Sequence, residues 1–331
     1  LMSMLFDVSP TPRPVKPPSP KTTEEIPGSL GLLARGAYNL VTRPTKLPGL
    51  LWDTGKSTIK AGYTRAHGIE MPTMPISAPK TRFNAIVEMD RLWNSTILDL
   101  SRVKALRKIV DGATLNDVIL AICAGALRRY LLEKGELPDK PLVAMVPIST
   151  RSEQEKDTMG NQVSAMYIEL ATNIEDPIKR LNKIHLNTLI SKLYQEAIDA
   201  RSLMGYAELI PFGLAGVASR FYSRAALAKH HKPFFNVVIT NVPGPQIPLY
   251  LDGHKLLANM GTAPIFDGMG LIMPICSYNG SISISPTSAA NLMPDLDLFN
   301  RYIRESANEL ENAVVEKQEN DAVIKKLLEE D

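Results

Sequence analysis

Two adjacent histidines, His230 and His231, are the residues of this 331-residue chain whose type and spacing first suggest chemistry. A neutral imidazole near pH 7 can take the proton of an attacking hydroxyl group. An Asp-Gly pair placed four residues after the second histidine would complete an HHxxxDG arrangement, but Phe235 and Asn236 occupy those positions. The sequence therefore predicts that His230 and His231 form a solvated or interface pair in a loop and are not a catalytic base.

The remaining histidines and both cysteines also lack the spacing of a reactive centre. His67, His185 and His254 have no acid or nucleophile at a recognisable spacing, and each is predicted to be structural. Cys123 and Cys276 lie in apolar runs, which is typical of small buried side chains in a reducing compartment. We therefore expect no metal site, and we expect a cytoplasmic protein.

Composition limits the class of protein further. With 44% hydrophobic and 22% charged residues, the chain is able to bury a substantial core. A net charge of +2 gives no reason to expect a nucleic-acid partner. The longest apolar run, residues 209–218, contains Pro211 and two glycines, and it is shorter than the roughly 18 to 20 residues that span a bilayer.

The organisation along the chain is uneven. Residues 1–27 are predicted to be a Pro-rich linker, since six prolines fall between Pro10 and Pro20. Residues 28–80 are predicted to be a basic helical segment that lies on a membrane surface, because residues 28–67 carry six Lys or Arg against one acid, Asp53. The alternative is a pair of short helices packed on a neighbouring domain. Residues 81–316 form the main domain, and residues 317–331 form a charged tail.

Periodicity within the main domain predicts a mixed α/β architecture. Apolar residues with helical spacing indicate a strong helix over 114–135, and a capping box formed by Thr114 and Asp117 marks its start. The pattern predicts further helices over 101–110, 176–204 and 295–316, and strands over 82–89, 95–100, 142–148, 161–170, 234–240, 254–260, 270–278 and 281–285. This order favours a mixed sheet flanked by helices.

The string "NDVILA", residues 116–121, resembles the "NDVVLA" motif of the bacterial wax ester synthase/diacylglycerol acyltransferase family. Further strings are similar to the C-terminal half of that family in the same order, and together they cover residues 81–315. They are "PLVAMVPISTR", "GNQVS", "DPIKRLNKI", "ITNVPGPQIPLYLDG", "GLIMPICSYNG" and "MPDLD".

The resemblance implies the C-terminal domain of a chloramphenicol-acetyltransferase-like, CoA-dependent acyltransferase, in which two domains face each other across a channel. It implies acyl-CoA as a substrate with no bound cofactor, and diacylglycerol or a fatty alcohol as acceptor. The family's HHxxxDG and "PLW" motifs belong to the N-terminal domain and are absent here, while "LMSMLFD" at the start looks like the sequence that follows the catalytic motif. We therefore expect a C-terminal part that is inactive without the N-terminal domain of the same enzyme; the alternative is a non-catalytic lipid- or CoA-binding module.

The resemblance also points to individual residues. In the family, the pair corresponding to Asn116 and Asp117 is held to support the active site through structure or second-shell contacts, while the capping box alone explains Asp117. Other polar or turn residues follow buried strands and are expected to contact the channel or CoA, or else to serve as turns and caps: Ser149, Arg151, Asn161, Asn241, Pro243 and Gly244. A membrane or lipid-droplet surface is the remaining expected partner, with attachment at the inner membrane face.

Overall fold

The structure is a computed structural model that describes residues 5–14, 28, 31, 38, 78–149, 163–197 and 232–329, with the backbone only at 149, 163, 194–197 and 321–329. These residues belong to two compact units. The larger contains the described residues within 71–193, 222–247 and 257–331, and the smaller contains the others. Most of the predicted linker and of the basic segment 28–80 therefore lies outside the described residues.

An eight-stranded mixed sheet forms the centre of the larger unit. The strands are β1 (Arg91–Trp93), β2 (Thr96–Asp99), β3 (Val143–Ser149), β4 (Val163–Glu169), β5 (Val237–Val242), β8 (Leu271–Tyr278), β9 (Ser281–Ile284) and β10 (Thr287–Ala289). They run in the order β1-β10-β8-β5-β3-β4, and β9 pairs with both β8 and β2. The three inner strands β3, β5 and β8 are parallel, whereas the remaining pairs are antiparallel.

The parallel strands are the apolar runs that the sequence shows. In β8, seven of the eight residues are buried, and β5 is buried over its first half. Strands that are covered on both faces lose the apolar and polar alternation of a half-exposed strand. The buried strands and the helices share one apolar cluster, so the predicted mixed sheet flanked by helices is confirmed.

Four helices accompany the sheet: α1 (Leu100–Leu106), α2 (Leu115–Glu133), α3 (Pro177–Ala197) and α4 (Leu296–Glu329). Helix α2 is the most enclosed, because an unbroken run from Asp117 to Leu127 is buried. It ends at Glu133 with Lys134 as its C-cap, and Gly135 then closes it, as predicted, with a φ of 65° that suits a residue without a Cβ.

A polar and aromatic cluster fixes the end of α2. Tyr130 donates to Asp295 Oδ1 (2.7 Å), and Arg82 Nη1 donates to the Tyr130 oxygen (3.1 Å). Arg82 also forms a bidentate pair with Glu136, and Lys134 Nζ lies 2.5 Å from Asp295 Oδ2. Burial and the hydrogen bond to Asp295 raise the pKa of Tyr130, so its hydroxyl stays protonated and acts as a donor. The cluster therefore joins the end of α2 to the segment around Arg82 and to Asp295, the residue before α4.

A buried guanidinium joins α3 to α4. Arg180 is only 2% exposed. Its Nη1 donates to the carbonyl oxygens of Ile174 (3.1 Å) and Glu175 (3.0 Å), and its Nη2 lies 3.3 Å from Glu309 Oε2. Burial lowers the pKa of Arg180, while Glu309 opposes that change. The pairing with Glu309 compensates for the removal of this cation from water.

Two strand predictions were wrong in detail, one strand was missed, and the last helix is longer than predicted. Residues 82–89 do not form a strand but begin with a 3-10 helix, Arg82–Asn84, because Asn84 donates its side-chain amide to the carbonyls of Phe235 and Gly268. The strand predicted over 254–260 is reduced to β7 (His254–Lys255), which pairs with β6 (Tyr250–Leu251) in the smaller unit. Strand β10 was missed, and the last helix continues past residue 316 to Glu329.

Helices α2 and α4 approach closely at Gly125. A Cβ added there would overlap Ser306 Oγ and would lie 2.9 Å from Arg180 Nη2. Since an ordinary carbon contact is longer than 3.4 Å, alanine forces α4 or these side chains to move.

We expect Gly125→Ala to lower the free energy of unfolding by about 1 to 2 kcal/mol, because overpacking outweighs the better helix propensity of alanine. Urea unfolding measures this change. Combining it with Ser306→Gly, which opens the space, should reduce the loss relative to the sum of the single variants. Strict additivity of the two variants would show that Gly125 and Ser306 do not limit the approach.

Candidate functional site

The predicted capping box at the start of α2 is present. Thr114 has extended backbone angles (φ −96°, ψ 164°), and its Oγ1 accepts from the Asp117 backbone N–H at 3.2 Å. The Thr114 backbone N–H and its hydroxyl both donate to Asp117 Oδ2 at 2.8 Å. The backbone amides of Thr114 and Asp117 at the helix start are thus satisfied by side chains, as the sequence predicted.

Asp117 has a second partner that the sequence did not reveal. His185, on α3, places Nδ1 at 3.0 Å from Asp117 Oδ2. Asp117 is fully buried and His185 is 7% exposed. An imidazole with its proton on Nδ1 donates to this carboxylate oxygen. Asp117 Oδ2 therefore accepts three hydrogen bonds, two from Thr114 and one from α3.

The second polar atom of each side chain, Asp117 Oδ1 and His185 Nε2, lies outside this hydrogen bond. Asp117 Oδ1 is buried and has no hydrogen-bond partner within the described part of the chain. His185 Nε2 faces Gly112, where a Cβ would lie 3.4 Å away. Gly112 has a φ of 75°, a left-handed conformation that favours glycine. The imidazole is thus enclosed between α2 and the turn that precedes it, which suits a group that holds Asp117 in place.

The sequence shows no acid at a recognisable spacing from His185, and the structure pairs this histidine with Asp117. The two residues are 68 positions apart in the chain, and no local spacing connects them. A weaker signal was available: His185 falls among Leu181, Ile184 and Thr188, which have helical spacing and are buried. That periodicity indicates a buried histidine but does not identify the residue it contacts.

Asn116 takes a different position from Asp117. It occupies the second residue of α2 and is half-buried. Within the described ranges, no hydrogen bond of its side chain is found. Of the motif pair, Asp117 therefore holds the helix start in place, while the side chain of Asn116 remains available on the first turn.

The turn "NVPGP", residues 241–245, lies where β5 ends. Asn241 is half-buried in β5 opposite Ile275 of β8, and Pro243 is exposed. The Gly244 backbone N–H donates to Ser277 Oγ at 3.2 Å. A Cβ on Gly244 would overlap the Ser277 carbonyl oxygen, so a close backbone approach explains the glycine at this position.

The remaining predicted contacts are only partly described. Ser149 ends β3 opposite Val163, while Arg151 and Asn161 lie outside the described residues. Strands β3 and β5 are parallel with Met145 opposite Val238, so Ser149 and Asn241 lie near the C-terminal ends of these neighbouring strands. The fold thus brings Ser149 and the 241–245 turn to the end of the sheet where the parallel strands finish.

The histidines other than His185 are also only partly described. His230, His231 and His67 lie outside the described residues, and His254 is exposed in β7. Asn236, at the position of the missing glycine, is fully buried and structural: its Oδ1 accepts from the Val143 N–H (2.9 Å) and its Nδ2 donates to Asn84 Oδ1 (2.9 Å).

Two classes of site find no support in the described ranges. No group of three or more His, Cys, Asp or Glu side chains there is arranged to hold a metal ion. Among the same residues, no helix combines the length and the apolar character needed to cross a membrane.

Comparison with known families matches most of the chain. The family model of the wax ester synthase/diacylglycerol acyltransferase (WS/DGAT) catalytic domain matches residues 1–119, and that of the WS/DGAT C-terminal domain matches residues 159–311. This chain belongs to the WS/DGAT family. The family predicted from the motifs is confirmed, and the match to residues 1–80 extends it beyond the region from residue 81 onward.

Individual relatives agree with this assignment. A putative diacylglycerol O-acyltransferase of Mycobacterium tuberculosis (strain H37Rv) is 35% identical over 312 residues, which cover 89% of this chain and 66% of the relative. A second, probable diacylglycerol O-acyltransferase of that strain is 33% identical over 304 residues, covering 90% and 62%. The O-acyltransferase WSD of Acinetobacter baylyi is 32% identical over 244 residues, covering 73% and 51%. The chain therefore spans between half and two thirds of the length of these relatives.

A solved structure supports the fold assignment. The WS/DGAT of Marinobacter aquaeolei VT8 superposes with a TM-score of 0.61 at 26% identity, covering 94% of this chain and 64% of that one. The predicted chloramphenicol-acetyltransferase-like fold of this WS/DGAT chain is thereby confirmed.

We expect Asp117→Ala to lower the free energy of unfolding of the WS/DGAT chain by about 2 to 4 kcal/mol, because it removes the helix cap and leaves the donors of Thr114 and His185 unpaired. Urea unfolding of Asp117→Ala, His185→Ala and the double variant gives the coupling between the two side chains. We expect a coupling of about 1 kcal/mol or more. Asn116→Ala, at the neighbouring half-buried position, is the control and should change stability by less than about 0.5 kcal/mol.

We expect Gly244→Ala to lower the free energy of unfolding by about 1 to 3 kcal/mol, since the added methyl group displaces the turn from the β8 backbone. Ser277→Ala adds no atom to the turn; it removes the hydrogen bonds that Ser277 Oγ accepts from the Gly244 N–H and from Gln246 Nε2, and it should cost about 1 kcal/mol. A Gly244→Ala variant as stable as the parent chain would contradict the close approach. Both variants are measured by urea unfolding.

Proposed function

We propose that this WS/DGAT chain is part of an O-acyltransferase that moves a fatty acyl group from acyl-CoA to diacylglycerol or a long-chain alcohol. The observation that carries the proposal is that the catalytic and C-terminal family models match the same chain in order, at residues 1–119 and 159–311. Relatives named as diacylglycerol O-acyltransferases and as an O-acyltransferase WSD support the same reaction class.

The reaction joins two substrates by exchanging one bond for another. The hydroxyl oxygen of the acceptor attacks the thioester carbonyl carbon, a carbon–oxygen bond forms, and the carbon–sulfur bond breaks. The hydroxyl proton passes to a base and then to the CoA thiolate, so the products are an ester and free CoA. This chemistry requires a base for the hydroxyl group and donors for the developing oxyanion.

We propose that the C-terminal ends of β3 and β5, with Ser149 and the 241–245 turn, form a wall of the substrate channel. Ligands of open α/β sheets commonly bind where parallel strands end. Val242, within this turn, and Ile247, just after it, are 56% and 51% exposed, so the turn offers apolar contact area for an acyl chain or a lipid acceptor. Asn241 stands at the end of β5 and β3 ends at Ser149, so both residues are placed for contacts with the thioester or with CoA.

We assign Asp117 and His185 a positioning role and place the base elsewhere. His185 Nδ1 is committed to Asp117, and its ring is enclosed beside Gly112, so it does not reach a bulky lipid hydroxyl. Asn116, half-buried on the first turn of α2, is the residue of the pair that we assign to contacts with neighbouring active-site groups. We infer that the imidazole base comes from polypeptide outside these 331 residues.

The test is an acyl-transfer assay with radiolabelled palmitoyl-CoA and either diolein or hexadecanol. The 331-residue chain should bind palmitoyl-CoA and form no ester. A polypeptide carrying the HHxxxDG motif of the family, added in trans or fused to the chain, should produce the ester. In that reconstituted enzyme, Asn116→Ala should lower kcat by about tenfold or more while leaving the free energy of unfolding unchanged.

Two results would contradict the proposal in different ways. Failure to bind palmitoyl-CoA would exclude this chain from the acyltransferase reaction. Ester formation by the chain alone that is abolished in His230→Ala or His231→Ala would show that the base lies within it. Pro243→Ala tests the channel wall separately: it should alter KM for the lipid acceptor more than kcat.

A further inference from the structure

The outer face of α3 carries a stripe of exposed leucines. Leu186, Leu189 and Leu193 are 47%, 44% and 58% exposed. The opposite face of the same helix is buried through Leu181, Ile184, His185 and Thr188. Helix α3 therefore has one apolar face in the core and a second one in contact with water.

Lysines flank this leucine stripe. At 3.6 residues per turn, Leu186, Leu189 and Leu193 fall within an arc of about 60°. Lys183 lies about 60° beyond one border of the arc, and Lys192 lies about 60° beyond the other. Lys179 is nearly in line with Leu186, two turns nearer the N-terminus of the helix, and all three lysines are exposed.

The charge of the helix has a single sign over this length. Residues 177–193 contain four basic residues and no Asp or Glu. The fourth basic residue, Arg180, is buried against Glu309 and does not contribute to the outer face. Asp176 precedes the helix and accepts from the Lys179 backbone N–H at 2.7 Å, which uses it as a cap. Apart from Asn182, which falls in the same arc one turn before Leu186, the outer face is therefore apolar at its centre and cationic at its borders.

We propose that this face of α3, defined by Leu186, Leu189, Leu193 and the three lysines, docks the protein on an anionic phospholipid surface. A surface helix of a water-soluble domain normally presents polar residues on its outer side. A stripe of leucines between lysines is typical of helices that lie in the interface of a membrane, with the apolar side chains among the acyl chains and the ammonium groups at the phosphates.

The charges also select between possible occupants of the face. A second copy of this face would bring lysines against lysines, because residues 177–193 of α3 contain no Asp or Glu to complement them, and like charges oppose such pairing. Anionic headgroups complement all three lysines at once. The docking surface is independent of the predicted surface segment 28–67 and of the proposed acyl transfer.

The test is co-sedimentation of the 331-residue chain with vesicles of phosphatidylcholine alone or mixed with phosphatidylglycerol. The chain should bind the mixed vesicles at low salt, and Leu186→Gln/Leu189→Gln/Leu193→Gln should weaken binding by about tenfold or more. Lys179→Gln/Lys183→Gln/Lys192→Gln should remove most of the preference for phosphatidylglycerol. The matched control is Leu132→Gln/Val315→Gln, which changes residues that are 51% and 48% exposed on other helices and should leave binding unchanged.

A local probe separates this face from any other point of attachment. An environment-sensitive fluorophore on Leu189→Cys should shift its emission to the blue on the mixed vesicles, and the same fluorophore on Leu132→Cys should not. Labelling of the native Cys276 is common to both variants and cancels in the comparison. An unshifted probe at position 189, or unchanged binding of the triple leucine variant, overturns the proposal. So does a dimer, measured by light scattering, that the triple leucine variant converts to a monomer.

Discussion

The buried carboxylate of Asp117 is the interaction on which the arrangement of helices depends. A charge that is removed from water destabilises the fold unless donors surround it, and here two donors come from Thr114 and one comes from His185. The first two fix where α2 begins, and the third fixes where α3 lies against it. Since α2 is the most enclosed helix, the position of this carboxylate sets the frame for the elements around it.

Close approach and buried polar groups complete that frame. Gly125 lets α4 lie against α2, and Arg180 joins α3 to α4 through Glu309. On the sheet side, Asn236 and Asn84 connect the segment before β1 to the start of β3. These contacts are specific in geometry, because each has a small side chain or a matched donor and acceptor where a larger residue would not fit.

The proposed functional surfaces lie outside this frame. The 241–245 turn stands where the parallel strands end, and Val242 and Ile247 are exposed there. The outer face of α3, the proposed docking surface, is carried by a helix that His185 and Arg180 hold in place. The proposed reaction uses substrates that are poorly soluble in water, and apolar groups on two exposed surfaces of a packed core suit that task.

The sequence by itself determined the features that depend on neighbours along the chain. The capping box needs only Thr114 and Asp117, three positions apart, and the long apolar period needs only α2 itself. The buried runs of β3, β5 and β8 and the ordered motif strings were readable for the same reason, and they identified the family and the mixed sheet. The motif residues Asn116, Gly244 and Asn241 were found in this way, although their contacts were not.

Only the tertiary structure decided the contacts between distant segments. It paired Asp117 with His185, set Gly125 against Ser306, and turned residues 82–84 into a 3-10 helix through the amide of Asn84. It also left the leucines of α3 on an outer face, although their period equally suits a buried one. The physical reason is that a hydrogen bond or a packed contact between remote residues exists only after several elements have docked together, so no local pattern encodes which residues meet.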